Sequence, residues 1–175
     1  QRQMCIRDSN IPARLTMHDN VLTSNNDNIA RAFANYVPDK YKGTDKYLDI
    51  VQWNIEWFGA SKSAEKDKKR KEVVLNLLKI LNADLFIFQE VAGPSADGRY
   101  KGSLDDIAEE LTVSGAGDYA VYYNKAGGEQ RVAMMWDREF VRAKSEVTDL
   151  FPKHTYRETG QKDPFAERTP LYGYF

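Results

Sequence analysis

Asn54 and Glu90 are the residues of this chain whose types and setting could do chemistry, because each stands where an apolar stretch gives out. Asn54 lies in Trp53-Asn54-Ile55-Glu56-Trp57-Phe58-Gly59, just after the apolar run at 48–51, and Glu90 closes Phe86-Ile87-Phe88-Gln89-Glu90. A carboxylate is a hard oxygen ligand of the kind that suits Mg²⁺, an ion usually held by only one or two carboxylates plus waters and substrate phosphate oxygens. The ends of buried strands are rigid platforms, so a group held there can be aimed at a ligand with little entropy left to lose. The plain alternatives are a solvated carboxylate at a strand end, or a cap to the following Gly93-Pro94-Ser95 loop, and an amide that satisfies backbone groups in a turn.

The elements that must position these two groups can be read from periodicity. Leu48-Asp49-Ile50-Val51-Gln52-Trp53 alternates loosely at period two and carries β-branched and aromatic residues, which predicts a strand. Asp84-Leu85-Phe86-Ile87-Phe88-Gln89 is a continuous apolar run, which predicts a strand covered on both faces and central in its sheet. Between them, 63–81 opens with charges and then spaces Val73, Val74, Leu77, Leu78 and Leu81 by threes and fours, the apolar face of a helix. Asn82 suits the left-handed position that stops such a helix. The unit is strand, helix, strand.

These segments resemble the opening of the endonuclease/exonuclease/phosphatase family, the group that includes DNase I-like nucleases. The resemblance rests on Trp-Asn-Ile-Glu-Trp-Phe-Gly and Leu-Asn-Ala-Asp-Leu-Phe-Ile-Phe-Gln-Glu-Val. It continues through Arg131-Val132-Ala133-Met134-Met135-Trp136 and Phe165-Ala166-Glu167-Arg168-Thr169-Pro170-Leu171, in the family's order, and covers about 47–175. It implies an α+β fold, half of a four-layer αββα sandwich with a mainly antiparallel sheet and flanking helices. It also implies a phosphoester hydrolase that uses Mg²⁺, or Mn²⁺ or Ca²⁺ in its place. Carried over residue by residue, the resemblance makes Glu90 a metal ligand and Asn54 a catalytic residue beside the metal and the scissile phosphate. Glu56 becomes a second acid near the metal, kept by some members only, and Arg168 a substrate phosphate contact. In the family an acid near the start of the strand at Arg131 orients a catalytic histidine, and Glu129 falls near it in an uncertain register. The family continues past this point with a His-bearing segment, an Asp-x-Asn segment and a late Asp-His pair, and none follows Phe175 here. The expectation is an N-terminal half, inactive by itself, with an apolar sheet face left to aggregate or dimerise.

Composition bounds the rest. The 175 residues, 42% of them hydrophobic, can bury one domain's core, and 25 Lys+Arg against 26 Asp+Glu leave a formal charge of −1. A protein whose affinity rests on the phosphate backbone would be more basic, so any nucleic-acid contact must be local. The local candidate is the run at 62–71, with Lys66, Lys68, Lys69, Arg70 and Lys71, whose plainer reading against DNA contact is the solvated first turns of a helix. Residues 1–9, with the single Cys5, resemble translated sequencing-adapter read-through and are set aside from the fold. Residues 10–46 form a polar leader with a short helix expected near 28–36. No stretch approaches the ~20 apolar residues of a membrane span, which predicts a soluble chain and leaves secretion open.

Along the remainder, 93–102 is a loop placed for an active-site rim. Ser103 is the expected N-cap of a helix at 104–111, with Asp106 at its third position and Leu104, Ile107, Ala108 and Leu111 facing the core. Segments 119–123 and 131–136 predict a β-hairpin, and 140–147 a further strand. Residues 151–167 read as an exposed loop in which His154 is solvated. Trp53, Trp57 and Phe58 read as core and rim packing and not as a base-stacking platform.

Three functions compete on this reading. The first is an endonuclease acting on nucleic acid; the second is a lipid or inositol-phosphate phosphatase or phosphodiesterase of the same fold. The third is a non-catalytic scaffold that has kept the fold and lost the site.

Overall fold

The alternation and apolar runs of the sequence become a five-stranded mixed sheet with two helices on one face. The structure, a computed structural model, describes residues 3–5, 37–60, 63–95, 101–125, 130–150 and 169–175. Strands β1 (Gln3–Cys5), β2 (Ile50–Phe58), β3 (Leu85–Ala92), β4 (Tyr119–Tyr123) and β5 (Gln130–Asp137) are ordered β1-β2-β3-β5-β4. The first three run parallel, while β3 with β5 and β5 with β4 are antiparallel. A two-stranded antiparallel ribbon, β6 (Thr148–Asp149) with β7 (Leu171–Tyr172), makes the described pairings antiparallel in the majority. The molecule is thus α+β with a mainly antiparallel sheet. Three residues of the segment set aside in the sequence, Gln3–Cys5, extend this sheet at the β2 edge.

Helix α1 (Ala64–Leu81) makes the crossover that a parallel β2–β3 pair requires. The Ser63 hydroxyl accepts the Lys66 amide at 3.4 Å at its start, and Asn82 ends it at φ 46°, ψ 49°, as its left-handed tolerance predicts. Val73, Val74, Leu78 and Leu81 face inward. Gly43 donates its amide to the Leu81 carbonyl at 2.7 Å, and a Cβ there would meet the Asn82 carbonyl oxygen at 1.8 Å. Only glycine lets the chain entering β2 lie so close to the helix end.

Helix α2 (Ser103–Val113) covers the same sheet face with Leu104, Ile107, Ala108 and Leu111, and these join Val51, Phe86, Phe88, Ala133 and Met135 in one core. Its cap differs from the sequence expectation. Gly102 is the N-cap, Asp105 rather than Asp106 accepts the Gly102 amide at 2.7 Å, and Ser103 already lies in the helix. The expected strand over 140–147 is also corrected: that stretch is irregular, tied down by buried Val141 and Val147, while Phe140 is exposed. The opposite sheet face carries Ile87, Met134 and Trp136, and Phe175 meets Trp136 edge-on at 5.5 Å.

A buried polar knot joins the hairpin to the ribbon. The Asn124 carbonyl side-chain oxygen accepts the Val132 amide at 2.9 Å and its Nδ2 donates to Thr169 at 3.4 Å. Thr169 in turn donates to Asp149 at 3.2 Å. Asn124 and Thr169 are each 1% exposed, so these bonds remove what would otherwise be costly unmatched groups. Among the described residues no helix is long and apolar enough to cross a membrane. The expected short helix near 28–36 and the loop at 151–167 lie outside the described residues.

Candidate metal and phosphate site

Asn54 and Glu90 meet. The Asn54 Nδ2 donates to Glu90 Oε1 at 3.1 Å, and the Gln130 Nε2 donates to Glu90 Oε2 at 3.2 Å. The pair lies on two adjacent parallel strands, Asn54 at the middle of β2 and Glu90 in the carboxyl-terminal half of β3.

How the strands bring the two together departs from the simple picture of strand ends. Both strands continue past these residues, to Phe58 and Ala92. Asn54 pairs with Gln89 and Phe58 with Val91, so Ile55, Glu56 and Trp57 stand opposite Glu90 alone. On its other side β3 pairs Gln89 with Val132 and Val91 with Arg131, which leaves Glu90 as a bulge against β5 as well. Bulges re-aim side chains and collect next to functional sites. Glu90 has φ 63°, Glu56 φ 45° and Trp57 φ 52°, all left-handed. For residues with a Cβ this conformation costs about 1–2 kcal/mol each, so neighbouring contacts must hold it.

Three such contacts are present. Asn54 Oδ1 accepts the Glu56 amide at 3.1 Å, which fixes the Asn54 side chain from within its own bulge. The Ser103 hydroxyl sits within donating distance of both the Phe58 carbonyl, at 3.2 Å, and the Ala92 carbonyl, at 3.0 Å, so α2 ties the two strands together beyond the bulges. That duty explains why Ser103 is buried and is not the cap. Arg70 on α1 donates to the carbonyls of Ile55 at 2.9 Å, Glu56 at 2.8 Å and Trp57 at 3.4 Å.

The Glu90 carboxylate is half-buried, and among the described residues both of its hydrogen-bond donors are neutral amides. Each oxygen keeps lone-pair capacity after accepting one bond, and the negative charge has no cation matched to it within that set. This donor set fits a hard divalent ion. Asn54 uses one of its two Nδ2 protons on Glu90, which leaves the other for an anionic oxygen. Glu56 is exposed and joins the pair through its backbone amide. Among the described residues there is no group of three or more His, Cys, Asp or Glu that could hold a metal, and Glu90 is the one carboxylate in the contact with Asn54 and Gln130. Arg168, Glu129 and His154 lie outside the described residues; Thr169, next to Arg168, is the buried anchor of the polar knot.

Two residues of the site were not singled out by sequence reasoning as parts of it. Gln130 is 8% exposed and reaches Glu90 because the bulge shifts the β3–β5 register to pair Ala92 with Gln130. Arg70 belongs to the run read as a solvated helix start. That run is in fact partly engaged within the fold, since Lys71 reaches Asp106 at 3.3 Å and Glu110 at 3.0 Å on α2, while Lys69 pairs with the exposed Glu65 of its own helix at 2.8 Å. Trp57, 47% exposed, stands at the rim.

A second group of acids gathers at the opposite ends of the same strands. Asp49 precedes β2, Asp84 precedes β3, and Asp84 Oδ2 accepts the Asp49 amide at 2.8 Å. Burial pushes the Asp84 carboxyl above its ordinary value of 3.8, the Asp49 backbone bond opposes this, and the charges of Asp49, Asp137 and Asp45 add to the rise. A carboxyl whose folded-state pKa is raised contributes most to stability below its unfolded pKa and loses that contribution as pH climbs through the folded value. Asp84→Asn keeps an acceptor for Asp49, so it should stabilise the protein at about pH 7 and give little gain at about pH 3. Urea unfolding at the two pH values checks this, and equal gains at both would contradict it.

No family model matches this chain, and no curated protein and no solved structure matches it.

Proposed function

We propose that this chain carries the metal-binding part of a divalent-cation-dependent phosphodiester hydrolase of the endonuclease/exonuclease/phosphatase type, acting on nucleic acid. In this reading the described sheet and its helices form two layers of a four-layer αββα sandwich. The observation that carries it is the 3.1 Å bond between Asn54 and Glu90 on facing bulges of neighbouring parallel strands. Strain at three left-handed residues is sustained there by contacts from both helices, as functional sites commonly require.

In this assignment Glu90 holds Mg²⁺, or Mn²⁺ or Ca²⁺ in its place, and the ion when bound supplies Lewis-acid stabilisation of charge on phosphoryl oxygens. Asn54 orients the Glu90 carboxylate through one Nδ2 proton and offers the other to a phosphate oxygen. Gln130 fixes the second carboxylate oxygen, so the ligand does not swing. Glu56, exposed on the bulge, is the candidate second acid at the rim, and Arg168 the candidate phosphate contact that adds a guanidinium fork. Trp57 is 47% exposed on the same strand, more open than the packing role read from the sequence, and would offer a stacking face to a base.

The test is Mg²⁺-dependent nicking of supercoiled plasmid by the full-length protein, run beside headgroup release from sphingomyelin vesicles and phosphate release from an inositol phosphate. Nicking that a chelator abolishes is the expected result. Headgroup or phosphate release without nicking moves the assignment to the lipid and inositol class, and hydrolysis in none of the three overturns it.

A further inference from the structure

We propose that Arg70 is the positioning residue of this site, holding the left-handed Glu56–Trp57 segment in the one shape that aims Asn54 at Glu90. The proposal rests on the metal-site reading above and extends it to a residue that touches neither the ion nor the substrate.

The β2 bulge takes Ile55, Glu56 and Trp57 out of the ladder with β3, so their carbonyls must be satisfied elsewhere. Left-handed φ angles at Glu56 and Trp57 curl the chain, and the three successive carbonyls turn toward α1. Arg70 answers all three: Nη2 donates to Ile55 at 2.9 Å and Glu56 at 2.8 Å, and Nη1 reaches Trp57 at 3.4 Å. Its guanidinium also lies 6.0 Å from the centre of the Phe58 ring, which helps hold the plane of the fork. Among cationic side chains only arginine presents donors in a rigid planar fork; a lysine ammonium is a compact point charge on a flexible stem and cannot span the same set.

The effect on the site passes through one peptide group. Arg70 fixes the Glu56 carbonyl, and the Glu56 amide caps Asn54 Oδ1 at 3.1 Å. That cap decides which way the Asn54 amide faces, so its Nδ2 and not its oxygen points at the Glu90 carboxylate. If the bulge relaxed, Asn54 would lose its cap, and the carboxylate would lose one of its two described donors. Arg70 thus controls the order of the ligand rather than its identity.

The experiment compares the wild-type protein with Arg70→Lys and Arg70→Met, using Lys69→Met as a control that removes a neighbouring cation and breaks the Lys69–Glu65 ion pair. Two quantities are measured: Mn²⁺ affinity by calorimetry and, without metal, the NMR shift and exchange rate of the Asn54 side-chain amide. Both Arg70 variants should weaken Mn²⁺ binding by about tenfold or more, the range seen when outer partners of a ligand are removed. The Asn54 amide should shift and exchange faster in both, while Lys69→Met leaves both readouts at the wild-type values. A purely structural Arg70 would lower the melting temperature and leave Mn²⁺ affinity and the Asn54 amide unchanged, and that result overturns the proposal. If wild type bound no Mn²⁺ the metal reading would fall, and the amide readout would still decide whether Arg70 positions Asn54.

Discussion

Glu90→Gln should weaken divalent-cation binding by on the order of 100-fold while leaving the fold intact, because charge count is the main lever on affinity at oxygen-ligand sites. The substitution keeps the size and shape of the side chain on a bulge that already tolerates a left-handed residue with a Cβ. Asn54 must go on donating toward position 90, since turning its amide would break the cap it accepts from Glu56. The new amide nitrogen therefore faces the Gln130 Nε2, and that contact, 3.2 Å long in the wild-type protein, is the one the substitution gives up. One hydrogen bond is given up, so the stability loss should be about 0.5–1.5 kcal/mol. Calorimetric titration with Mg²⁺ alongside urea unfolding separates the two effects. If affinity and stability fell together, Glu90 would be a structural residue.

Phe88→Ala should produce the largest loss of stability of any single change near the site, about 3–5 kcal/mol. Phe88 is fully buried two positions before Glu90 on the central strand. Its ring stacks on Phe86 at 5.9 Å and 13°, and Trp53 lies 6.4 Å away at a tilt, so truncation opens a cavity between β2, β3 and the helices. The surrounding aromatics are held by their own neighbours and cannot close such a gap. Against a typical domain stability of roughly 5–15 kcal/mol, the loss should appear as a large fall in the urea midpoint with an unchanged slope. A loss below about 1 kcal/mol would mean that this sheet face is not packed as described.

Much of this fold could be read from residues because the relevant signals are local. The spacing of Val73, Val74, Leu78 and Leu81 fixed the buried face of α1, and Asn82 marked its left-handed end. The apolar run at 85–88 announced a central strand, and the 119–123 and 131–136 pair a hairpin, since each depends on nearest neighbours alone. Ser103 resembled a cap and was not one, because its hydroxyl is claimed by carbonyls 45 and 11 residues away in the chain. Local sequence carries no record of such partners. Phe140 belonged to a stretch with strand-like residues, yet it is 60% exposed, and the stretch forms no strand although the Lys144 amide bonds the Tyr174 carbonyl at 2.7 Å.

At the site itself, the types of Asn54 and Glu90 could be recognised, but their geometry could not. Left-handed backbone is usually flagged by glycine or asparagine, and here it falls on Glu56, Trp57 and Glu90, which give no such warning. Gln130 depends on a register that the Glu90 bulge shifts, and Arg70 on the rotation of α1 about its axis relative to β2. Both are properties of packed elements.

The central claim, that the Asn54–Glu90 pair is a divalent-cation site, is tested most directly by titrating Mn²⁺ into ¹⁵N-labelled protein and following paramagnetic broadening. The account predicts that the side-chain amides of Asn54 and Gln130 and the backbone amide of Glu56 broaden first, and that Glu90→Gln abolishes the effect. Broadening centred on Asp49 and Asp84 at the other end of the strands, with the Asn54 and Gln130 amides untouched, would contradict it.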